Sequence, residues 1–210
     1  MLDRNADVEL GIEYADFTQF REDWVCRFTS VDVVVHLAAN PYTDANWSEL
    51  LPDNVDSVLN VCTACVRGGV RCLVFASSCQ TMEGYRDRGA GLITVDLEPH
   101  PVNSYGVSKL IGEKICRHYA DRYQLSVVCL RIGWVPRGGD QVAITASNAW
   151  LRRKWLSGKD LIQVFSRAIE AEGIGFGTFY AVSGNEGMRW DLDPARRVLG
   201  YRPEEGIRGS

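Results

Sequence analysis

Short apolar runs alternate with longer amphipathic stretches along this chain, and that alternation predicts its architecture. Residues 31–39 (VDVVVHLAA) are β-branched, nearly continuous and few, as in a strand buried on both faces. From Asn46 to Arg67, the residues Leu50, Leu51, Val55, Val58, Leu59 and Cys62 recur at helical intervals, and Gly68-Gly69 stops the helix. Residues 71–76 (RCLVFA) predict a second buried strand, followed by a loop rich in Gly, Asp and Pro from Cys79 to near Val102. A helix from Ser104 to Tyr123 carries Leu110, Ile111, Ile115, Tyr119 and Tyr123, and residues 125–132 (LSVVCLRI) give a third strand. Strands joined by helices of this length require right-handed crossovers, so the sheet is parallel and the chain a doubly wound α/β protein.

The texture changes after Gly133. Pro136, Arg137 and Gly138-Gly139 read as a loop. Ser157-Gly158-Lys159-Asp160 has the pattern of a capping box opening a helix over 161–170. Residues 178–182 (TFYAV) predict a strand and residues 191–199 a last helix. This tail is too short for an independent domain and is expected to form a small lobe on the strand ends.

Composition narrows the field. The 210 residues are 46% hydrophobic and 24% charged, which excludes a disordered chain, a collagen and a small disulfide scaffold. A formal net charge of −4 gives no bulk attraction for nucleic acid. No apolar run approaches the roughly 18 residues that cross a bilayer. The opening Met1-Leu2-Asp3-Arg4-Asn5 lacks the apolar core of a signal peptide, so a cytoplasmic location is expected. Seven cysteines, mostly inside apolar stretches, read as buried free thiols. Cys62-x-x-Cys65 invites a redox or zinc reading, but no second pair exists and His36, His100 and His118 are scattered, which favours packing.

Ligands of open parallel sheets bind beyond the carboxyl ends of the strands. Three features fall there. His36-Leu37-Ala38-Ala39-Asn40-Pro41 offers small residues that let a flat ligand approach the backbone, although small residues also end ordinary strands. Ser77-Ser78 follows the second strand and could present hydroxyls, as turn residues also do. Tyr105-x-x-x-Lys109 sets a phenol and an ammonium on one helix face. A free phenol is a poor base at neutral pH, and a neighbouring ammonium favours its phenolate. Any one of these is weak; the ordered set within a parallel α/β chain is much stronger.

In this order, VVVHLAA, VFASS, YGVSK and LRIG resemble the extended short-chain dehydrogenase/reductases, also called the NAD-dependent epimerase/dehydratase family. The resemblance covers essentially the whole chain and implies a Rossmann-like fold, NAD as cofactor and a homodimer built through the two long helices. It implies Ser78 as the catalytic serine, Tyr105 as acid/base and Lys109 as its partner, the last also holding the nicotinamide ribose. It further places Leu37, Ala38, Ala39, Asn54 and Ser77 along the cofactor, Asp16-Phe17 beside the adenine and Arg131-Ile132-Gly133 beside the nicotinamide. Lys154-Trp155-Leu156-Ser157, Trp190-Asp191-Leu192 and residues 199–203 (LGYRP) are similar to the tails of uronate dehydrogenases and their relatives.

Two departures from the pattern stand out. Where uronate dehydrogenases follow the serine pair with Asn-His against the sugar acid, this chain has Cys79-Gln80, and its loop to Tyr105 is two residues longer. The family also opens with a strand and a glycine-rich turn that cradles pyrophosphate, and the sequence contains no such turn. Leu2-Asp3-Arg4-Asn5 looks like the end of the family's second strand, with Asp3 on the adenosine ribose, favouring NAD over NADP. Residues 1–135 are thus expected to form an N-terminally truncated dinucleotide-binding domain, without first strand, glycine turn or first helix. Residues 136–210 are expected to form a small substrate-side lobe packed on it. Either residues 8–14 re-pair the exposed edge of the strand at 31–39 or the chain stays partly unfolded, and in both cases the chain alone is expected to bind NAD very weakly and to be inactive.

The leading reading is an NAD-dependent oxidoreductase acting on a small sugar or sugar acid, with Ser78, Cys79, Gln80 and Arg137 toward the substrate. Arg152 and Arg153 compete with Arg137 for a substrate carboxylate. Two alternatives stay open: a nucleotide-sugar epimerase or dehydratase, and a non-catalytic remnant serving as a scaffold. No nucleic-acid or membrane partner is expected.

Overall fold

The computed structural model describes residues 1–136 and 148–208. Its centre is a four-stranded parallel sheet, and a separate pair of short parallel strands lies near the start of the chain. The strands β1 (Leu2–Asp3) and β2 (Glu13–Tyr14) form the pair. The main sheet runs in the order β3 (Val33–His36), β4 (Cys72–Ser78), β5 (Ser126–Ile132) and β6 (Phe176–Ala181). Among the named helices, α1 is Glu22–Val25, α2 Trp47–Leu50, α3 Ser57–Gly68, α4 Ser104–Tyr123, α5 Ala149–Arg153 and α6 Gly158–Glu170.

Strict alternation along the central strands fills both faces. Leu73, Phe75, Val127 and Cys129 point to the side covered by α3 and α4, where they meet Val58, Val61, Cys62 and Cys116. Cys72, Val74, Val128 and Leu130 point to the opposite side, against Val164 and Ala168 of α6 and the residues of the tail. Strands buried on both faces need no polar alternation, which is why their sequences read as continuous apolar runs. No described helix is long and apolar enough to cross a membrane.

The helix predicted over 46–67 is present as one unbroken stack. Asn46 caps it by accepting from Glu49 N at 3.1 Å while Glu49 Oε2 accepts from Asn46 N at 3.0 Å. Pro52 has no N–H to give the ladder, and the stack widens into a π-turn at Leu51–Asp56 before α3 continues. Gly69, with φ 71°, closes α3 in the left-handed conformation that glycine adopts without strain.

Several expectations are corrected. The strand expected over 31–39 contracts to β3, because residues beyond His36 peel from the sheet and line a cavity. Ser77 and Ser78 lie inside β4, not after it. Residues 8–14 do not join β3. Asp7 and Ile12 bridge each other across a tight turn, Val8 is 94% exposed, and Glu13–Tyr14 pairs with β1. Asp160 forms only half of a capping box: its N–H donates to Ser157 Oγ, while its carboxylate accepts from Ser183 Oγ and the N–H groups of Glu204 and Glu205. The last helix begins at Asp193, two residues later than expected, and winds as a π-turn over Ala195–Leu199.

Two buried ion pairs tie these layers together. Arg131 of β5 grips Glu113 of α4 through Nε and Nη2 at 2.9 and 2.8 Å, and Ser77 Oγ of β4 donates to the same carboxylate at 2.5 Å. Glu83, in the 3-10 turn Cys79–Tyr85 after β4, accepts from Lys154 Nζ and from Trp150 Nε1, both at 2.8 Å. This second pair ties the tail to the loop that leaves the end of β4.

Candidate active site

The carboxyl ends of β3, β4 and β5 open onto a cleft of about 600 Å³ lined by Leu37, Ala39, Ser78, Gln80, Tyr105, Lys109 and Ile132 among others. The start of α4 brings the phenol and the ammonium there. Asn103 caps α4 by accepting from Gly106 N at 2.8 Å. Gly106 lets the helix sit directly on the preceding loop: a Cβ at this position would lie 2.6 Å from the Gln80 carbonyl oxygen.

Lys109 is buried. Its Nζ donates to the Ala76 carbonyl at 2.9 Å and lies 5.2 Å from the Phe75 ring centroid and 5.8 Å from that of Tyr105. Burial pushes its pKa down to about 8. Ser78 Oγ accepts from Gln80 N at 3.2 Å, so its O–H is oriented to donate elsewhere. Cys79 borders the cleft but is itself packed, its thiol donating to the Arg131 carbonyl at 3.2 Å, and burial raises its pKa to about 12. Gln80 lies at the cleft wall, where a more open polar groove begins.

A second cavity, about 320 Å³, adjoins the first and shares Leu37 and Ala39 with it. Asp3, Arg4, Asn5, Phe17, Ala38, Asp53 and Ser57 also line it. Arg4 is held by Asp53 and lies 3.9 Å from Asp16. Asp16 itself accepts from Thr18 N and Oγ1. His36 lies at the end of β3 between the Phe17 and Phe75 rings, its Nε2 without a partner among the described residues. Burial first, and then the Lys109 charge, drives its pKa down to about 3, so it is neutral.

Most of the residues expected in the site gather around these two cavities, with the following exceptions. Asp16 lines neither cavity and its carboxylate turns to Thr18. Asn54 is 1% exposed and ties loops together, accepting from Asn40 N at 2.8 Å and donating to Asn40 O and Ser108 Oγ. Arg131 turns away from the cleft into its pair with Glu113, leaving Ile132 and Gly133 at the rim. Arg137 lies outside the described residues. The sequence reading passed over Glu113, Glu83 and Asn103. A charge inside the apolar strand 125–132 demands a buried partner, which signals that one exists, and the structure identifies it as Glu113.

Adjoining cavities along the carboxyl edge of a parallel sheet, floored by small residues, suit an extended two-part ligand. The profile of the NAD dependent epimerase/dehydratase family matches residues 3–135. The chain belongs to that family. Among its relatives, the L-arabinose 1-dehydrogenase (NAD(P)(+)) of Haloferax volcanii is 34% identical over 194 residues, covering 85% of this chain and 76% of that protein. A uronate dehydrogenase of Pseudomonas putida is 31% identical over 175 residues, covering 83% of this chain and 61% of its own length. A solved structure of a mutated uronate dehydrogenase superposes with a TM-score of 0.80 at 26% identity, over 93% of this chain and 66% of the other.

Lys109 gives the site a pH signature. Its folded pKa, about 8, lies below the ordinary value of 10.5, so between these pH values the unfolded chain binds a proton that the folded chain has released. Stability from this group therefore rises with pH across that window, and the cost of the buried charge is fully present below it. Between about pH 7.5 and 9.5, wild type should gain on the order of 2 kcal/mol relative to Lys109→Met in urea unfolding. A difference between the two proteins that does not move with pH would contradict the assignment.

Proposed function

We propose that this member of the NAD dependent epimerase/dehydratase family oxidises a small sugar or sugar acid. The observation that carries this reading is the convergence of Ser78, Tyr105 and buried Lys109 on one cleft. Residues 1–135 supply the cofactor side, and the lobe after them closes the substrate side. The residues present fit the two ends of NAD: the smaller cavity offers the Asp3 carboxylate and the Phe17 ring to the adenosine, and the larger offers Lys109 and Ile132 to the nicotinamide end. Bound there, NAD supplies the hydride acceptor. Ser78 orients the reacting hydroxyl, Tyr105 takes its proton, and the Lys109 ammonium favours the phenolate that does so. The names of the relatives, an arabinose and a uronate dehydrogenase, support a sugar-type substrate.

Losing a positioned acid/base costs about 10²–10⁴ in rate. Tyr105→Phe, made in a form of the protein that turns over, should lose at least that much turnover while binding NAD with unchanged affinity by calorimetry. Near-wild-type turnover would remove Tyr105 from the mechanism.

Cofactor choice follows from the charges at the smaller cavity. Arg4 is the cation next to Asp3 that could receive a 2′-phosphate, and Asp53 and Asp16 already engage it. NAD is therefore preferred. Asp53→Asn should free Arg4 and raise kcat/KM for NADP about tenfold, a change of about 1.4 kcal/mol, with the NAD value little altered. An equal response of the two cofactors would defeat this role for Arg4.

A second copy of this chain is the proposed partner. Leu59 of α3 with Leu110, Ile111, Ile115 and Tyr119 of α4 lines an open, almost wholly apolar groove on the side away from the sheet. Covering it with the same surface of another copy would form a four-helix contact. Light scattering at micromolar concentration should give a dimer, and Leu59→Lys a monomer; a monomeric wild type would refute the proposal.

A further inference from the structure

The amide of Gln80 has its orientation set from the helix cap. A backbone N–H can only donate, so the bond from Gly106 N at 2.8 Å identifies the carbonyl oxygen of the Asn103 side chain. The other end of Asn103 is then its Nδ2, which donates to Gln80 Oε1 at 3.0 Å. With Oε1 engaged, Nε2 is the end of Gln80 left for a ligand, and among the described residues nothing accepts from it. Ser78 Oγ accepts from the backbone N of Gln80, which takes one of its lone pairs and leaves its O–H to donate. The backbone of Gln80 is held where the start of α4 rests on its carbonyl at Gly106, so the bond from Asn103 sets the side-chain amide on a fixed base.

We propose that Asn103 is a positioning residue that holds the Gln80 amide in one polarity, so that the amide offers the cleft wall a donor and not an acceptor. Such a wall selects a substrate that presents acceptor oxygens next to the reacting hydroxyl, as a sugar acid or a lactone-forming sugar does. It disfavours one that presents an ammonium there, as an amino sugar does. The proposal rests on the sugar-oxidising reading above and adds which substrate chemistry the wall accepts.

Asn103→Asp isolates the relay. Aspartate caps a helix as well as asparagine does, so Gly106 N keeps its acceptor and α4 its start. It has no donor, so the Gln80 amide must reverse, giving Nε2 to the new carboxylate and turning Oε1 to the cleft. The probes are a hexuronic acid, the matching neutral aldose and the matching amino sugar. For the hexuronic acid, KM should rise by about 10-fold or more while kcat changes less than about threefold. The preference for hexuronic acid over amino sugar should fall by a larger factor than the preference for the neutral aldose over amino sugar.

Asn103→Ser caps without reaching Gln80 and adds no charge, so it should give a smaller rise, about threefold, with no gain for the amino sugar. Gln80→Glu should reproduce the pattern of Asn103→Asp even if the latter fails to fold. Unchanged KM in a folded Asn103→Asp protein would overturn the relay. So would a fall in kcat for all three sugars together with a lower Tm, which is the mark of a merely structural cap.

The dissociation constants of the same sugars by calorimetry separate this inference from the reading beneath it. A chain that binds sugar without oxidising it removes only the proposed reaction, and the relay is still read in the order of affinities. A chain that binds none of the three overturns both.

Discussion

The Glu113–Arg131 pair is the constraint on which the site depends. Both side chains are almost completely buried, and breaking such a pair from one side costs about 3–5 kcal/mol because the remaining charge has nowhere to go. Burial works against the arginine charge, but the facing carboxylate more than restores it and leaves the Arg131 pKa above its ordinary value. Glu113 follows Lys109 by one helical step of four, as Lys109 follows Tyr105, so the three share one stripe of α4. Holding Glu113 against β5 therefore fixes the rotation of the whole helix. The phenol and the ammonium are delivered to the sheet edge by an ion pair that takes no part in the chemistry.

Close approach completes that setting. Gly112 lets α4 descend onto Phe75, where a Cβ would lie 2.6 Å from the ring. The same ring stacks against His36 and lies near the Lys109 ammonium. Asn54 then links the loop after β3, the π-turned helix and the start of α4 through Asn40 and Ser108. The two cavities are thus walled by segments bonded to one another, so their relative placement is part of the folded core.

The sequence displayed those parts that rest on periodicity. The bounds of α4 and the places of the central strands along the chain follow from apolar spacing, and the tyrosine–lysine pair from the helical repeat. What stayed hidden depends on pairing across long stretches of chain. Nothing local announces that Glu83 meets Lys154 and Trp150, or that Asn103 reaches Gln80. The apolar run at residues 31–39 is longer than the strand because it continues after hydrogen bonding stops, where small residues line the cavities instead. The need to satisfy a strand edge says nothing about which segment will do it, and so does not place residues 8–14. The Asp7–Ile12 turn commits them to β1 through contacts close in sequence.

The burial of the thiols has a practical side. Of seven cysteines, Cys26 alone is exposed, while the other six sit in the core with pKa values raised by their surroundings or by burial. A thiolate reacts and a buried thiol does not. An alkylating reagent should therefore tag the native chain once and the denatured chain seven times, so that the mass of the product counts folded molecules directly. Cys79, the one core thiol at the rim of the cleft, would be the first of the hidden six to betray a loosening of the site before the rest of the protein gives way.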